Sequence, residues 1–184
     1  MAEQHTIIAN AAAWREWLDA QEYESDGVWL LLAKKGTLTP TSLSYTEALD
    51  EALCSGWIDG QKRGHDEATF VQRFTPRRKA SMWSQRNIGL VETLIEQGRM
   101  RTRGHAEIER AKSDGRWDRA YPGQAAAEVP GDLAAALAES AEAAAAFARL
   151  SASDRYSILH RVLTATPSAR PGRIRTLVER FGIG

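Results

Sequence analysis

The sequence contains only one cysteine among its 184 residues. A single thiol, Cys54, forms no internal disulfide and no thiolate zinc cluster, so the composition fits a reducing compartment. Cys54 falls late in an apolar helical repeat, which favours a small buried residue over a nucleophile. The first residues lack the basic and apolar regions of a signal peptide, and no segment approaches membrane-spanning length. We therefore expect a cytoplasmic protein that does not insert into membranes.

The sequence also lacks the residue patterns that are typical of metal sites, nucleotide-binding loops and activated nucleophiles. Its four histidines are scattered, with no pair at helical or turn spacing, so we expect no metal site. No glycine-rich loop matches a P-loop or a dinucleotide fingerprint, so we expect no cofactor. Ser84, His65 and Asp59 could form a hydrolytic trio, but no nucleophile elbow surrounds Ser84. No catalytic residue is assigned, and the sequence leaves open whether the protein is an enzyme.

Charge is balanced over the whole chain but unevenly distributed along it. Residues 1–60 contain three basic and ten acidic residues, a net charge of −7. Residues 61–86 contain seven basic and two acidic residues, a net charge of +5. A basic patch on a neutral protein favours a discrete anionic ligand over nucleic acid, whose binding proteins carry a basic excess across the domain. A solvated basic face, balanced by the acidic first third, explains the same charges equally well.

Apolar periodicity and capping residues predict an α+β fold. The predicted elements are a helix at 10–21, a buried strand from Val28, a helix after the Ser44–Glu47 capping box, strands at 57–63 and 68–74, a helix from Ser84, and helices at 103–114, 132–149, 153–165 and 171–182. We expect a small, mainly antiparallel sheet packed with helices, followed by a C-terminal helical bundle. The predicted domains are an α+β domain at 1–120, a Pro/Gly-rich linker at 121–131, and a helical region at 132–184.

The two central strands predict a hairpin around a four-residue loop at 64–67. A register symmetrical about that loop places Trp57 opposite Phe74 and Asp59 opposite Gln72. Alternation then puts Trp57, Asp59, Phe70 and Phe74 on one mostly aromatic face. A carboxylate on such a face needs a partner or has a raised pKa, because burying an unpaired charge is very unfavourable. The nearest candidate partners are the arginines just beyond the second strand.

The segment after the second strand is rich in residue types that bind ligands. Arg77, Arg78 and Lys79 precede a helix that begins near Ser84, so arginine charge and helix dipole converge on one anion. Trp83 adds a flat surface on which a base, a sugar or a guanidinium can stack. The predicted ligand-binding residues are Trp57, Asp59, Arg73, Arg77, Arg78, Trp83, Ser84 and Asn87. In the alternative interpretation, these arginines tie the loop to Asp59 and the first helix, and Trp83 belongs to the core.

Several motifs occur in a specific order along the chain. They are Trp29-Leu30 with Lys34-Lys35, Ser44-Tyr45, the run from Ala52 to Gly60, Phe74 to Arg78, Trp83-Ser84 with Asn87, and Arg155 to Leu159 with Arg170 before Arg173-Ile174. Together they resemble the YdeI/OmpD-associated family, also called bacteriocin-protection proteins. The resemblance implies association with an outer-membrane porin and a role in envelope stress or antimicrobial peptide tolerance. It supplies no catalytic residues.

Three functions remain open from the sequence. The first is a non-enzymatic binding protein that takes a small anionic or polar ligand at the predicted residues. The second is an enzyme in which Asp59 is the general acid or base and the arginines orient an anionic substrate. The third is a module that binds an acidic protein partner. That module would use one exposed face formed by Arg161, Arg170, Arg173, Arg175 and Arg180.

Overall fold

A computed structural model describes residues 5–182, and the chain divides into two compact units. The first unit runs up to Ser81 and resumes over Gly89–Asp114, whereas the second comprises Met82–Ile88 and the chain from Gly115 onward. A three-stranded antiparallel sheet with helices, followed by C-terminal helices, confirms the predicted α+β class. The predicted domain boundaries around a linker at 121–131 stay a prediction.

The elements follow the predicted order, except that two helices replace the predicted helix at 132–149 and that a 3-10 helix lies within the predicted linker. They are α1 (Ala11–Gln21), β1 (Val28–Ala33), α2 (Tyr45–Cys54), β2 (Trp57–Gly64), β3 (Thr69–Pro76), α3 (Gln85–Glu96), α4 (Thr102–Ser113), a 3-10 helix (Gln124–Ala126), α5 (Gly131–Ala138), α6 (Ala141–Ala148), α7 (Ala152–Leu163) and α8 (Arg170–Gly182). Within residues 5–182, no helix combines the length and the hydropathy that crossing a membrane requires.

The sheet has the strand order β1-β3-β2, so β3 pairs with both neighbours. The hairpin of β2 and β3 is confirmed, but its predicted register is wrong, because Trp57 lies opposite Pro76 and Asp59 opposite Phe74. The register shifts between Asp59 and Lys62, where β2 contains an irregularity, and the Gln72 side chain donates to the Gly60 carbonyl there at 2.7 Å. Up to Asp59 the register differs from the predicted one by two residues, so Trp57, Asp59 and Phe74 keep their predicted face, whereas beyond the irregularity it differs by three.

One face of the sheet packs on α1 and α2 to form the core of the first unit. Leu30, Phe74 and Trp57 are fully buried on this face, together with Trp14 of α1. Each such side chain contributes about 1.5–3 kcal/mol by leaving water. The Trp14 indole Nε1 donates to the Ala48 carbonyl at 3.0 Å, which joins the two helices under the sheet.

The C-terminal end of α2 is covered by residues 99–104, far along the chain. Glu51 is buried and bonds both arginines of this segment, with Oε1 2.7 Å from Arg99 Nη2 and Oε2 2.8 Å from Arg101 Nη2. The backbone N–H of Arg101 donates to the Cys54 carbonyl at 3.0 Å. A Cβ on Gly104 would lie 2.2 Å from that carbonyl oxygen, so only glycine allows this approach.

The second unit has its own core, built from residues of all four C-terminal helices. Its buried members include Leu137, Phe147, Leu159 and Ile174. The predicted single helix at 132–149 is wrong, because α5 ends at Ala138 and α6 begins at Ala141. Ser140 caps the second helix by accepting a hydrogen bond of 3.2 Å from the Ala143 N–H. The break lets both short helices direct apolar side chains to the same core.

Candidate functional site

Three of the predicted binding residues line one cavity at the end of β3. The cavity has a volume of about 390 Å³, and all its lining residues belong to the first unit. They are Asp26, Arg73, Thr75, Pro76, Arg77 and Arg78. We call this cavity the arginine pocket. Three arginines and one aspartate are among these lining residues, which together carry a net charge of +2.

Alternation along β3 directs the pocket residues away from the core. Phe74 is fully buried on the core face, so its neighbours Arg73 and Thr75 lie on the other face, where both are half-buried. Gly27 has a φ of +136°, and a Cβ there would lie 2.8 Å from the Phe74 carbonyl oxygen. This close approach brings Asp26 beside β3 and into the wall of the pocket.

Trp29 supports the first arginine of the pocket from the neighbouring strand. It lies directly opposite Arg73 in the antiparallel pair of β1 and β3. The guanidinium carbon of Arg73 is 5.8 Å from the indole ring centroid, and that of Arg63 is 4.1 Å from it. Both distances fall within the range of cation–π attraction. Trp29 therefore restricts the positions that the Arg73 side chain can take.

The other two arginines occupy different depths in the pocket. Arg77 is only 5% exposed, and its backbone N–H donates to the Gly56 carbonyl at 3.1 Å. Arg78 is exposed, and its backbone N–H donates to Ser81 Oγ at 2.9 Å. The Ser81 N–H donates back to the Arg78 carbonyl at 2.9 Å, which closes the loop. Arg77 thus forms a fixed wall, and Arg78 extends into solvent.

Asp59 and Trp57 lie outside the lining of the arginine pocket. Trp57 is fully buried in the core of the first unit, so its ring presents no surface to solvent. Asp59 is half-buried, and its Oδ2 accepts a hydrogen bond of 2.9 Å from the hydroxyl of Tyr45. A tyrosine hydroxyl therefore bonds this carboxylate.

The remaining three predicted residues belong to the second unit. Trp83 is 1% exposed, and its ring centroid lies 5.0 Å from that of Trp117. Ser84 precedes α3 and accepts a hydrogen bond of 3.1 Å from the N–H of Asn87, so it caps the start of this helix. Asn87 itself is buried. The structure thus brings together Arg73, Arg77 and Arg78 among the eight predicted residues.

Sequence reasoning missed the residues that complete the pocket. Asp26 precedes Gly27 and lines the pocket, and Trp29 supports Arg73 from outside the lining; both reach β3 only through the pairing of β1 with β3. The sequence signal was the Asp26-Gly27 pair before a buried strand, which indicates a turn but no partner strand. Thr75 and Pro76 stand between predicted arginines and could have been included on that ground.

The single cysteine lies in the core rather than in a site. Cys54 is fully buried at the end of α2. Burial, assisted by the negative charge of Glu51, raises the pKa of its thiol to about 11. A thiol with this pKa is almost entirely protonated at neutral pH and is a poor nucleophile. Among residues 5–182, no group of three or more His, Cys, Asp or Glu side chains could hold a metal ion.

The five C-terminal arginines do not form one face, so that expectation is wrong. Arg170 is ion-paired with Asp132, with Nε 2.6 Å from Oδ2. Arg175 lines a cavity with three acidic residues, Asp132, Glu139 and Glu179. The other three arginines, Arg161, Arg173 and Arg180, line a separate cavity between α7 and α8. We call this second cavity the α7–α8 groove.

Comparison with known families assigns the two parts of the chain separately. Residues 6–107, which contain the arginine pocket and more than half of the chain, match a domain of unknown function, DUF8412. Residues 126–182 match the family described as Bacteriocin-protection, YdeI or OmpD-Associated, which confirms the family recognised from the sequence. No curated protein and no solved structure matches the chain. The chain belongs to the DUF8412 family through its first part and carries a C-terminal region of the YdeI/OmpD-associated type.

Proposed function

We propose that the protein binds a small anionic ligand in the arginine pocket. The observation that carries this proposal is the convergence of Arg73, Arg77 and Arg78 on one cavity of about 390 Å³. A guanidinium group stays protonated at neutral pH and offers carboxylate or phosphate oxygens two parallel N–H donors. The volume lies at the lower end of small-molecule sites, which span about 300–1,000 Å³.

Asp26 narrows the class of ligand. Its carboxylate accepts hydrogen bonds and repels a second negative charge on the same side of the pocket. The ligand therefore combines one anionic group, which the arginines bind, with a hydroxyl or amine group that donates to Asp26. Sugar phosphates and nucleotides have this combination. Succinate has two carboxylates and no such donor, so it serves as the contrasting ligand.

An enzyme that uses Asp59 is supported less well by the geometry. The Asp59 carboxylate lies on the core-facing side of β2 and bonds the Tyr45 hydroxyl. It is not among the residues that line the arginine pocket. A substrate held by the three arginines would thus have no contact with this carboxylate within the pocket. Binding without catalysis is the function that we favour.

The C-terminal match adds a biological role to the proposal. The matched family is described by bacteriocin protection, and we propose that this chain contributes to such tolerance through its anionic ligand. A pocket with a charge of +2 repels a cationic peptide, so direct capture of such a peptide there is disfavoured. Bacteria that express the protein should survive bacteriocin better than bacteria that express a variant lacking Arg73 and Arg78. Equal survival would contradict this role.

Binding can be tested by calorimetry and tryptophan fluorescence on the purified full chain. The probes are inorganic phosphate, ribose 5-phosphate, AMP and succinate. We expect saturable binding of ribose 5-phosphate or AMP and weaker binding of succinate. Because Trp29 lies beside Arg73, its fluorescence should change on binding. The double variant Arg73→Gln/Arg78→Gln should lose this binding while its circular dichroism stays unchanged.

Arg63→Gln is the matched control for the double variant. Arg63 also stacks on Trp29, at 4.1 Å, but it does not line the pocket. The control should therefore keep the wild-type affinity. Equal affinities of the wild type and the double variant would reject the arginine pocket as the site. A wild-type chain that binds none of the four probes would reject the proposed function.

A further inference from the structure

The α7–α8 groove is a second cavity, and the proposed ligand binding does not use it. Its volume is about 520 Å³, and five of its ten lining residues have apolar side chains. Ile158 and Val162 of α7 face Leu177 and Phe181 of α8 across it. All four except Val162 are only half-buried. The groove therefore leaves apolar surface accessible inside a recess of ligand size.

The charged residues of the groove are all basic. Arg161, Arg173 and Arg180 line it, and none of the described lining residues is acidic. The cavity on the other side of α8 has the opposite character, because three of its lining residues are acidic. The cavity on one side of α8 is therefore basic, and the cavity on the other side is mainly acidic. An occupant of the α7–α8 groove combines an apolar body with a negative group.

Two of the arginines lie together at one end of the groove. Arg161 belongs to the last turn of α7, and Arg173 lies near the start of α8. The Arg173 Nη1 donates to the Arg161 carbonyl at 2.9 Å. Arg180 follows seven residues later, roughly 10 Å further along the helix axis at 1.5 Å per residue. The apolar residues Leu177 and Phe181 lie at that far end.

Gly172 lies on the wall of the groove, beside open space. It lines the cavity, and a Cβ built on it would meet no heavy atom within 4 Å. The neighbouring side chains therefore leave the recess open along this part of α8. A larger side chain at this position would occupy the groove without a clash at its Cβ.

We propose that the α7–α8 groove binds a single-chain anionic amphiphile, such as a fatty acid. The acidic head is held by Arg161 and Arg173, and the acyl chain lies along Ile158, Leu177 and Phe181. The aliphatic part of Arg180 covers the end of the chain while its guanidinium stays in water. Apolar burial contributes about 25 cal/mol per Å² removed from water, and the arginines select the charge of the head.

The test uses the full chain and dodecanoate below its micelle concentration, with calorimetry as the measurement. The wild type should bind dodecanoate saturably. Arg161→Gln/Arg173→Gln should weaken binding by about tenfold or more, because hydrogen bonds to a charged group are lost. Gly172→Leu should block binding by filling the groove. Arg175→Gln is the matched control, since Arg175 lies on α8 but lines the other cavity. It should bind as the wild type does.

Three further probes separate this proposal from its rivals. Dodecanol has the same chain without the charge and should bind more weakly, so equal affinities would overturn the role of the arginines. Binding to phosphatidylglycerol vesicles without binding of monomeric dodecanoate would overturn the proposal in favour of a membrane surface. Binding of a glutamate-rich amphipathic peptide without dodecanoate would overturn it in favour of a protein partner. Wild-type affinity in Gly172→Leu would also reject the groove, whatever the arginine pocket binds.

Discussion

The hydroxyl of Tyr45 donates a hydrogen bond of 2.9 Å to the carboxylate of Asp59, which joins the start of α2 to β2. This contact provides the half-buried carboxylate with its partner. It also separates Asp59 from the arginine pocket, because the bond lies on the core-facing side of the strand.

Tyr45→Phe should destabilise the protein and leave anion binding unchanged. Loss of one hydrogen bond to a carboxylate that is only half-buried should lower the free energy of unfolding by about 1 kcal/mol. Urea unfolding measures this effect, and titration with AMP measures binding. Tyr23→Phe is the control, because Tyr23 is 71% exposed. A large loss of AMP affinity in Tyr45→Phe would contradict the separation of Asp59 from the site.

Trp29→Leu should weaken anion binding although Trp29 does not line the arginine pocket. Its ring holds the Arg73 guanidinium at 5.8 Å, and an exposed cation–π contact contributes about 0.5–1 kcal/mol, a two- to fivefold change in affinity. Trp29→Phe should recover part of this loss, because an aromatic face is restored. If Trp29→Leu and Trp29→Phe bind equally well, the ring does not position the arginine.

Glu51→Gln should be strongly destabilising. Removing the charge leaves Arg99 and Arg101 without their shared carboxylate, and breaking a fully buried pair typically costs roughly 3–5 kcal/mol. A third of the Arg99 side chain is exposed, so we expect about 2 kcal/mol in urea unfolding. Glu109→Gln serves as the control, because its ion pair with Lys112 is largely exposed. Similar effects from the two variants would contradict a special role for Glu51.

Asp66 should titrate far below an ordinary aspartate. The side-chain hydroxyl of Thr69, together with the backbone N–H groups of Thr69 and Ala68, lowers the pKa of this carboxyl to about 2 from 3.8. The folded protein therefore favours the ionised form, so this stabilisation is present above pH 4 and is lost as the pH falls towards 2. NMR titration measures the pKa directly.

Asp66→Asn tests the same carboxylate through stability. An amide does not titrate, so the variant should have a flatter dependence of stability on pH between about 4 and 2 than the wild type. Urea unfolding at several pH values provides the comparison. Parallel curves for the two proteins would show that Asp66 does not contribute to acid sensitivity.

The Cys54 thiol should react only when the first unit opens. It is fully buried, and burial raises its pKa to about 11, so little thiolate is present in the folded state. A thiol reagent at pH 8 should label Cys54 only in molecules whose first unit has opened. The labelling rate should therefore follow the rate of that opening. Glu51→Gln should accelerate labelling, since it loosens the end of α2. Rapid labelling of the native wild type would contradict this prediction.

Local sequence signals predicted most of the helices and strands. They did not predict the contacts between segments that are distant along the chain. The Ser44–Glu47 capping box fixed the start of α2, because both hydrogen bonds form within one helical turn. The break between α5 and α6 was missed, because alanine has a high helix propensity on both sides of Ser140. Packing of both helices on one core, rather than local preference, determines that break.

Prediction of the candidate site was also limited by pairing between segments that are distant along the chain. Arg77 and Arg78 follow β3 directly and were visible in the sequence, whereas Asp26 and Trp29 join them through pairing with β1. Trp57 and Trp83 stand beside polar residues, a pattern that predicts ligand contact, yet the structure buries both rings. An aromatic residue beside charges has the same sequence pattern whether its ring faces a ligand or the core. Only strand pairing and helix packing distinguish the two cases.

The cover that Arg99, Arg101 and Gly104 place on the end of α2 bears on how the chain is made. On the ribosome, Glu51 and the Cys54 carbonyl emerge long before the residues that bond them. The first unit therefore cannot finish folding until Met82–Ile88, which belong to the second unit, have also been synthesised. Part of the second unit is thus synthesised before the first unit is complete. A chain arrested at Ser81 would expose the acidic C-terminal end of α2 to cellular chaperones.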